Sequence, residues 1–432
     1  MSNFLYRFFD LKALSTTIKG EVIAGITTFS TMAYVIFLNP QILSQTGMDF
    51  DSCMVATILA STFGCLCMGL LANYPFALAP SMGLNAYFTF GIVMSENIPW
   101  QTGLGACFIA GCIFLLLTLS NIRSYILNAI PLSLRIGTIG GIGIFLALIG
   151  MKNGGLVVSD PNTLLKLGNI NQPEVFLNLI GISAIATLLS LNVRGAILFG
   201  IILNWLIGIA SGLIVWQGFF SLPPSLFPTL GQFAIMEAFQ PKMIPVVLSL
   251  IFVAIFDTAG TLLGLAGQGG YLDEKGRLPR TKKVLYSDSL GTMAGAAFGT
   301  SPLAIYLESA SGIAAGGKSG LTAVVVGILF SFSLFLSPLA TSIPHFATSP
   351  ALIVIGSMMM MQVKELNWAD PTEYVPAFLI LIAIPLSFSI ATGIAIGFMI
   401  YPIIKLFSGK AYDLSWIVWI ISALFTLKFI YG

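Results

Sequence analysis

Long apolar runs separated by short polar stretches fill almost the whole chain. A helix needs about 20 predominantly apolar residues to cross a bilayer core. On that measure the first half predicts segments at 22–43, 52–73, 84–95, 102–120, 133–151, 174–193 and 195–216. The second half predicts 243–267, 285–300, 306–316, 320–341, 348–362, 373–391 and 393–408. A further apolar stretch, 414–431, either spans the membrane or lies in its interface. Two segments, 84–95 and 306–316, are too short to cross, and each is the third of its half. Proline-containing sequence introduces both: YPFALAPSMG from Tyr74 and GTSPLAIY from Gly299. Proline lacks an N–H and pushes the preceding residue towards extended backbone. Each stretch is therefore expected to form a short strand leading into a half-helix. Strands entering from opposite sides can pair at the midplane, with free half-helix N–H groups aimed at a ligand.

Seven segments per half is an odd number, so the second half enters from the opposite side. Matching strings support two inverted repeats. GLGACFIAGCIFLLLTL from Gly103 resembles GLTAVVVGILFSFSLFL from Gly320, and Phe29-Ser30-Thr31 matches Phe256-Asp257-Thr258. Inverted repeats with interrupted helices at matching positions are the pattern of secondary transporters with a midplane site. Composition agrees with an all-α polytopic membrane protein. Of the 432 residues, 57% are hydrophobic and only 8% charged, whereas a soluble domain carries about 25% charged residues. Secreted, disordered and nucleic-acid-binding classes are excluded.

Basic residues set orientation. Arg7, Lys12 and Lys19 precede segment 1, Arg123 follows segment 4 and Arg194 follows segment 6. Lys275, Arg277, Arg280, Lys282 and Lys283 follow segment 8, Lys318 follows segment 10, and Lys405 and Lys410 end segment 14. Alternate crossing puts nearly all of them on one face, which is expected to be cytoplasmic, together with the N-terminus. Lys152 and Lys166 are the exceptions, beside Asp160 and Glu174. The connection 217–241 carries no basic residue before Pro241 and is expected outside. Phe4, Leu5, Phe8, Phe9 and Leu11 suggest an amphipathic arm on the membrane surface. The five cysteines lie in apolar runs without metal-ligand spacing, so neither disulfide nor metal site is expected.

Charge inside an apolar segment is costly and marks function by default. Asp257 lies mid-segment in IFVAIFDTAGTLLG, Glu308 in IYLESASGIAAGG, and Asp288 begins segment 9 in YSDSLGTMAG. No basic residue lies mid-segment to neutralise them. A structural carboxylate capping a half-helix is the competing reading, strongest for Glu308 and Asp288. Asn85 and Glu308 begin the two half-helices. His345, the single histidine, falls in a loop, so a proton relay must use carboxylates. The run Met358–Met361 reads as packing.

The strings EVIAGITTF, NPQIL, LAPSMGLNAYF, FDTAGTLLG, LYSDSLGT and IYLESASGIAAGGKSGLTAVVVG occur in order between Lys19 and Ser408. In them the chain resembles the nucleobase:cation symporter (xanthine/uracil permease) family, in its AzgA-like purine permease branch. The resemblance implies fourteen segments in two inverted repeats, and proton-driven uptake of purine nucleobases such as adenine, guanine or hypoxanthine. It also implies a core domain (segments 1–4 in 20–122 and 8–11 in 218–341, with a linker) that moves against a gate domain (segments 5–7 in 123–217 and 12–14 in 342–409). Residues 1–19 are then the N-terminal arm and 410–432 an extra C-terminal segment. Asp257 and Glu308 are implied to hold the base, with Asn85 and Asp288 nearby, and a homodimer in the cell membrane is implied as well. Phe29, Tyr34, Tyr87, Phe256 or Tyr306 can supply a stacking face, and Thr258 flanks the mid-segment acid. Coupling falls on Glu308, Asp257 or Asp288, with no cofactor beyond the proton, and with sodium as the alternative ion. Thr261 stands where uracil-transporting relatives use His. The rival readings are an anion exchanger of the same fold, a passive channel and an intramembrane hydrolase using the acid pair.

Overall fold

The computed structural model describes residues 2–120, 130–216, 218–274 and 277–431; Arg123 and Lys275 fall outside them. Among the described residues, nine helices are long and apolar enough to cross a membrane, from Ile18–Thr46 to Ile390–Phe407. Shorter apolar helices occupy Met82–Met94, Ala196–Ala210, Pro371–Ser387 and Trp416–Leu427. The protein is an all-α polytopic membrane protein, and its few strands are short.

Four strands form two separate ladders: β1 (Leu78–Pro80), β2 (Val157–Asp160), β3 (Leu164–Leu167) and β4 (Leu303–Ile305). β1 pairs antiparallel with β4, Leu78 opposite Ile305 and Pro80 opposite Leu303. The ladder continues past both ends: Ser81 N–H donates to Pro302 O at 3.0 Å, and Tyr306 N–H donates to Ala77 O at 2.9 Å. Every residue of both strands is buried. Extended backbone at that depth is tolerated because each strand satisfies the other. β1 leads into helix Met82–Ala86, which widens into π-type turns over Tyr87–Met94, and β4 leads into helix Ser309–Ala314.

The helices pack as two groups. Phe50–Cys67, Trp100–Leu119, Thr281–Phe298, Gly320–Ser333 and Ile18–Met32 contact one another, while Leu132–Asn153 packs on His345–Met360, Pro371–Ser387 and Ile390–Phe407. Helix Ile244–Gln268 touches both groups. Lipid offers no hydrophobic drive between helices, so close backbone approach matters. A Cβ on Gly143 would sit 2.6 Å from the Gly356 carbonyl oxygen. Only glycines let helices Leu132–Asn153 and His345–Met360 meet at this crossing.

Buried polar groups tie the first group together. The Glu21 carboxylate accepts from Lys318 N–H (3.0 Å), Ser319 N–H (3.2 Å), Thr322 Oγ1 (2.6 Å) and Thr16 Oγ1 (2.8 Å). It thereby satisfies N–H groups just ahead of helix Gly320–Ser333, where negative charge is favourable.

Several local expectations change. The segment expected as continuous over 22–43 breaks at Ala33–Tyr34, between helices Ile18–Met32 and Val35–Leu43. Its sequence has no glycine or proline at the break, so no local signal marks it. The connection after Leu132–Asn153, on which no secondary structure is expected from the sequence one way or the other, folds as a β2–β3 hairpin with Lys166 paired to Asp160 at 3.1 Å. In the N-terminal arm Phe9 and Leu11 are buried against Leu321, so half of the apolar face expected to meet lipid meets protein instead. Helix Trp416–Tyr431 packs along Ile390–Phe407, with Phe425 against Phe398 and Phe252. His345 begins a helix rather than lying in a loop.

Candidate functional site

Interrupted helices bring polar side chains to one place. Asp257 lies in the interior of helix Ile244–Gln268, where its backbone groups are satisfied and its side chain is left for other partners. Ser81 ends the β1 crossing and caps helix Met82–Ala86: its Oγ accepts from Leu84 N–H at 3.4 Å. The same hydroxyl donates to Asp257 Oδ2 at 2.6 Å. Glu308 occupies the N-cap position of helix Ser309–Ala314 but does not cap it with its side chain. Its Oε1 instead accepts from the Tyr34 hydroxyl at 2.5 Å. Tyr34 is free to reach it because of the break after helix Ile18–Met32. Thr31, on the last turn of that helix, lies 3.0 Å from Ser311 Oγ.

Tyr306 follows β4, and its hydroxyl donates to the Pro80 carbonyl at 2.6 Å. That carbonyl belongs to the opposite strand, so the bond locks the two crossings across the site. Among the described residues no ion pair joins Asp257 or Glu308 to a cation.

A cavity of about 620 Å³ collects these groups. Asp257, Glu308, Tyr306, Tyr34 and Ser81 line one side, and Ile139, Ile355, Met358, Met359 and Met361 form an apolar wall on another. The volume falls in the range of small-molecule sites, which combine mostly apolar walls with a few placed polar groups. Arg194, in the turn before helix Ala196–Ala210, is the one basic residue among its described lining.

The remaining sequence candidates lie behind this surface. Asn85 is fully buried and donates to Asn39 Oδ1 at 2.6 Å, while Asn39 donates to Thr57 and Thr300, each at 2.7 Å. That network fastens the helix after β1 to the residues before β4. Thr258 Oγ1 donates to Asp288 Oδ2 at 3.3 Å, and both side chains are buried. The Phe256 ring packs 5.9 Å from Phe398 on the second helix group. None of these four lines the cavity.

Tyr34, expected from the sequence to offer its ring, bonds through its hydroxyl. Ser81 was visible only as part of the proline-containing stretch, although a serine directly before a helix is a capping signal. The methionines read as packing form the apolar wall. Gln362 also lines the cavity, and nothing in the sequence shows which face of its helix looks inward.

Paired strands, two half-buried acids and a central cavity give this polytopic membrane protein a small-molecule site within its helices. Comparisons with known proteins place it further. The sequence profile of the Permease family (Xan_ur_permease) matches residues 19–396. The adenine permease AdeP of Escherichia coli is 44% identical over 427 residues, covering 99% of this chain and 96% of that protein. The guanine/hypoxanthine permease PbuO of Bacillus subtilis is 43% identical, covering 97% of this chain and 99% of its own length. The chain belongs to the Permease family of membrane transporters. Among solved structures, the transmembrane domain of a cyanobacterium bicarbonate transporter, BicA, shares the fold with a TM-score of 0.66 at 16% identity, over 87% of this chain and 97% of that one.

Proposed function

We propose that this chain imports purine nucleobases of the adenine, guanine or hypoxanthine class by proton symport, as a member of the AzgA-like branch. The observation that carries the reading is the pair of acids facing one cavity without a paired cation among the described residues: Asp257 inside a continuous helix and Glu308 between a strand and a half-helix. An ionised carboxylate can only accept hydrogen bonds, which suits the ring N–H groups that purines share. A neutral base needs no counter-charge, and its flat apolar faces suit the methionine and isoleucine wall. The names of relatives such as AdeP and PbuO support the substrate class. Asp257 and Glu308 hold the base, and Tyr306 fixes the crossing beneath it. Asn85, Thr258, Asp288 and Phe256 act from behind, through the contacts described above.

In this reading the chain holds fourteen segments in two inverted repeats, with residues 20–122 and 218–341 as core and 123–217 and 342–409 as gate. The core carries the base past the gate in an elevator-like motion, and the assembly is a homodimer in the cell membrane. An anion exchanger is the reading the shared fold with BicA would suggest, but two acids beside the cavity repel an anion. The test is competition for uptake of labelled adenine or hypoxanthine in proteoliposomes. An excess of at least one of adenine, guanine and hypoxanthine should abolish uptake, while uracil and bicarbonate should leave it intact. Bicarbonate transport without purine competition would overturn the reading.

Orientation is part of the same proposal: the N-terminus and the 271–283 loop face the cytoplasm, and 217–240 faces outside. With all five cysteines replaced, Lys283→Cys should resist an impermeant thiol reagent applied to intact cells and react once the membrane is opened. Labelling of intact cells at that position would invert the topology.

A further inference from the structure

The cavity is built asymmetrically. One side offers carboxylates and hydroxyls, while the facing helices Leu132–Asn153 and His345–Met360, with the short helix Met361–Glu365 that follows, offer mostly hydrocarbon and thioether. Of the lining residues these helices contribute, only Gln362 carries a hydrogen-bonding side chain; the others are Ile139, Ile355, Met358, Met359 and Met361. Its position is defined against the acid-bearing helix. A Cβ built on Gly260 would lie 3.8 Å from Gln362 Oε1 and 4.0 Å from Nε2. Gly260 is three residues beyond Asp257 in helix Ile244–Gln268. One helical turn advances about 5.4 Å, so the amide stands about one turn along from Asp257. Glycine at 260 is what leaves it that space.

The Gln362 side chain forms no hydrogen bond with another described residue, whereas Ser81, Tyr34 and Tyr306 are each engaged; the cavity's other amides, Asn192 and Gln268, lie in the turn before helix Ala196–Ala210 and at the last residue of helix Ile244–Gln268. An amide presents a donor and an acceptor together, and rotation exchanges them. The carboxylates can only accept, so they read N–H groups that purines share. A group able both to donate and to accept can pair with either of the groups that distinguish them: at ring position six, adenine carries an amine and hypoxanthine an oxygen.

We infer that Gln362 is a substrate-binding residue that lets the site accept either kind of purine: its amide hydrogen-bonds the six-position edge of the base, turned away from Asp257 and Glu308. The inference rests on the purine reading above. When the amide is present it serves either base by rotating. When it is absent, neither six-position group finds a partner. When it is replaced by a carboxylate, only a donor finds one. A site built to hydrogen-bond a substrate group discriminates strongly once that pairing fails.

The test compares wild type, Gln362→Leu, Gln362→Glu and Asp257→Asn, each purified and measured by equilibrium binding of labelled adenine and hypoxanthine. In Gln362→Glu the affinity ratio of adenine to hypoxanthine should rise at least about tenfold. In Gln362→Leu affinity for both bases should fall about fivefold or more, with the protein's thermal stability kept. Gln362→Asn, which keeps the amide on a shorter stem, should keep the wild-type ratio within about threefold; Gln362→Met, which also removes the amide, stands in for the leucine variant if that one fails to fold. Unchanged ratios and affinities in both Gln362→Glu and Gln362→Leu, alongside lost binding in Asp257→Asn, would overturn this inference and leave the purine site standing. Failure of the wild type to bind either base would overturn the purine reading itself.

Discussion

Asp257→Asn and Glu308→Gln should each lower purine affinity at least about tenfold and nearly abolish uptake at low substrate. Each substitution removes the charge but keeps the shape. The loss is that of a charge-assisted hydrogen bond, about 1.5–3 kcal/mol, and about 1.4 kcal/mol is tenfold in binding. The second oxygen of each acid is replaced by an NH₂ group, which faces a base N–H donor to donor. Local structure should survive, because Ser81 and Tyr34 each retain an oxygen to bond. His345→Ala is the control: His345 begins helix His345–Met360 and does not line the cavity, so uptake should stay close to wild type. Binding of labelled base to purified protein, with expression at the membrane verified, checks the claim. Wild-type affinity in either acid variant would place the site elsewhere.

Uptake should be driven by an imposed proton gradient in sodium-free vesicles, and Glu308→Gln should lose the ability to concentrate substrate. The single histidine lies away from the cavity, and no lysine lines it. Taking a charge out of water is expensive, so an acid within the membrane resists being carried across it while ionised. Protonation removes that charge, and a neutral base by itself does not. Glu308 is the better candidate for three reasons. It stands at the start of helix Ser309–Ala314, it accepts the Tyr34 hydroxyl, and Tyr34 sits at the break between helices Ile18–Met32 and Val35–Leu43. A proton on Glu308 weakens that contact and so acts on two elements at once. Asp257, held by Ser81 on the β1 crossing, is the alternative. Substrate is raised in the variant assay to offset weaker binding. Accumulation that requires sodium and ignores an uncoupler would sink the proton claim, and a Glu308→Gln variant that still concentrates base would sink the residue assignment.

The sequence by itself determined the solvent. Apolar runs of bilayer length and 8% charged residues leave no other environment, because each helix meets lipid through its own composition. It also determined where the helices fail: Pro75, Pro80 and Pro302 cannot donate to a helix, and β1 and β4 lie beside them. Asp257 and Glu308 stood out because an intramembrane charge is visible in one dimension. What only the tertiary structure decided is which sides of these helices face each other. A soluble helix declares its inner face by a polar outer one. Here both faces are apolar, so nothing in the string separates Met358 and Gln362 on the cavity from an isoleucine facing lipid. The same ambiguity hid the break at Tyr34. It also concealed that Asn85 joins Asn39 and that Asp288 joins Thr258 behind the site, while Asp257 faces it. Those choices depend on contacts between residues tens to hundreds of positions apart, such as Tyr34 with Glu308 and Ser81 with Asp257, and they exist only once the two crossings have paired.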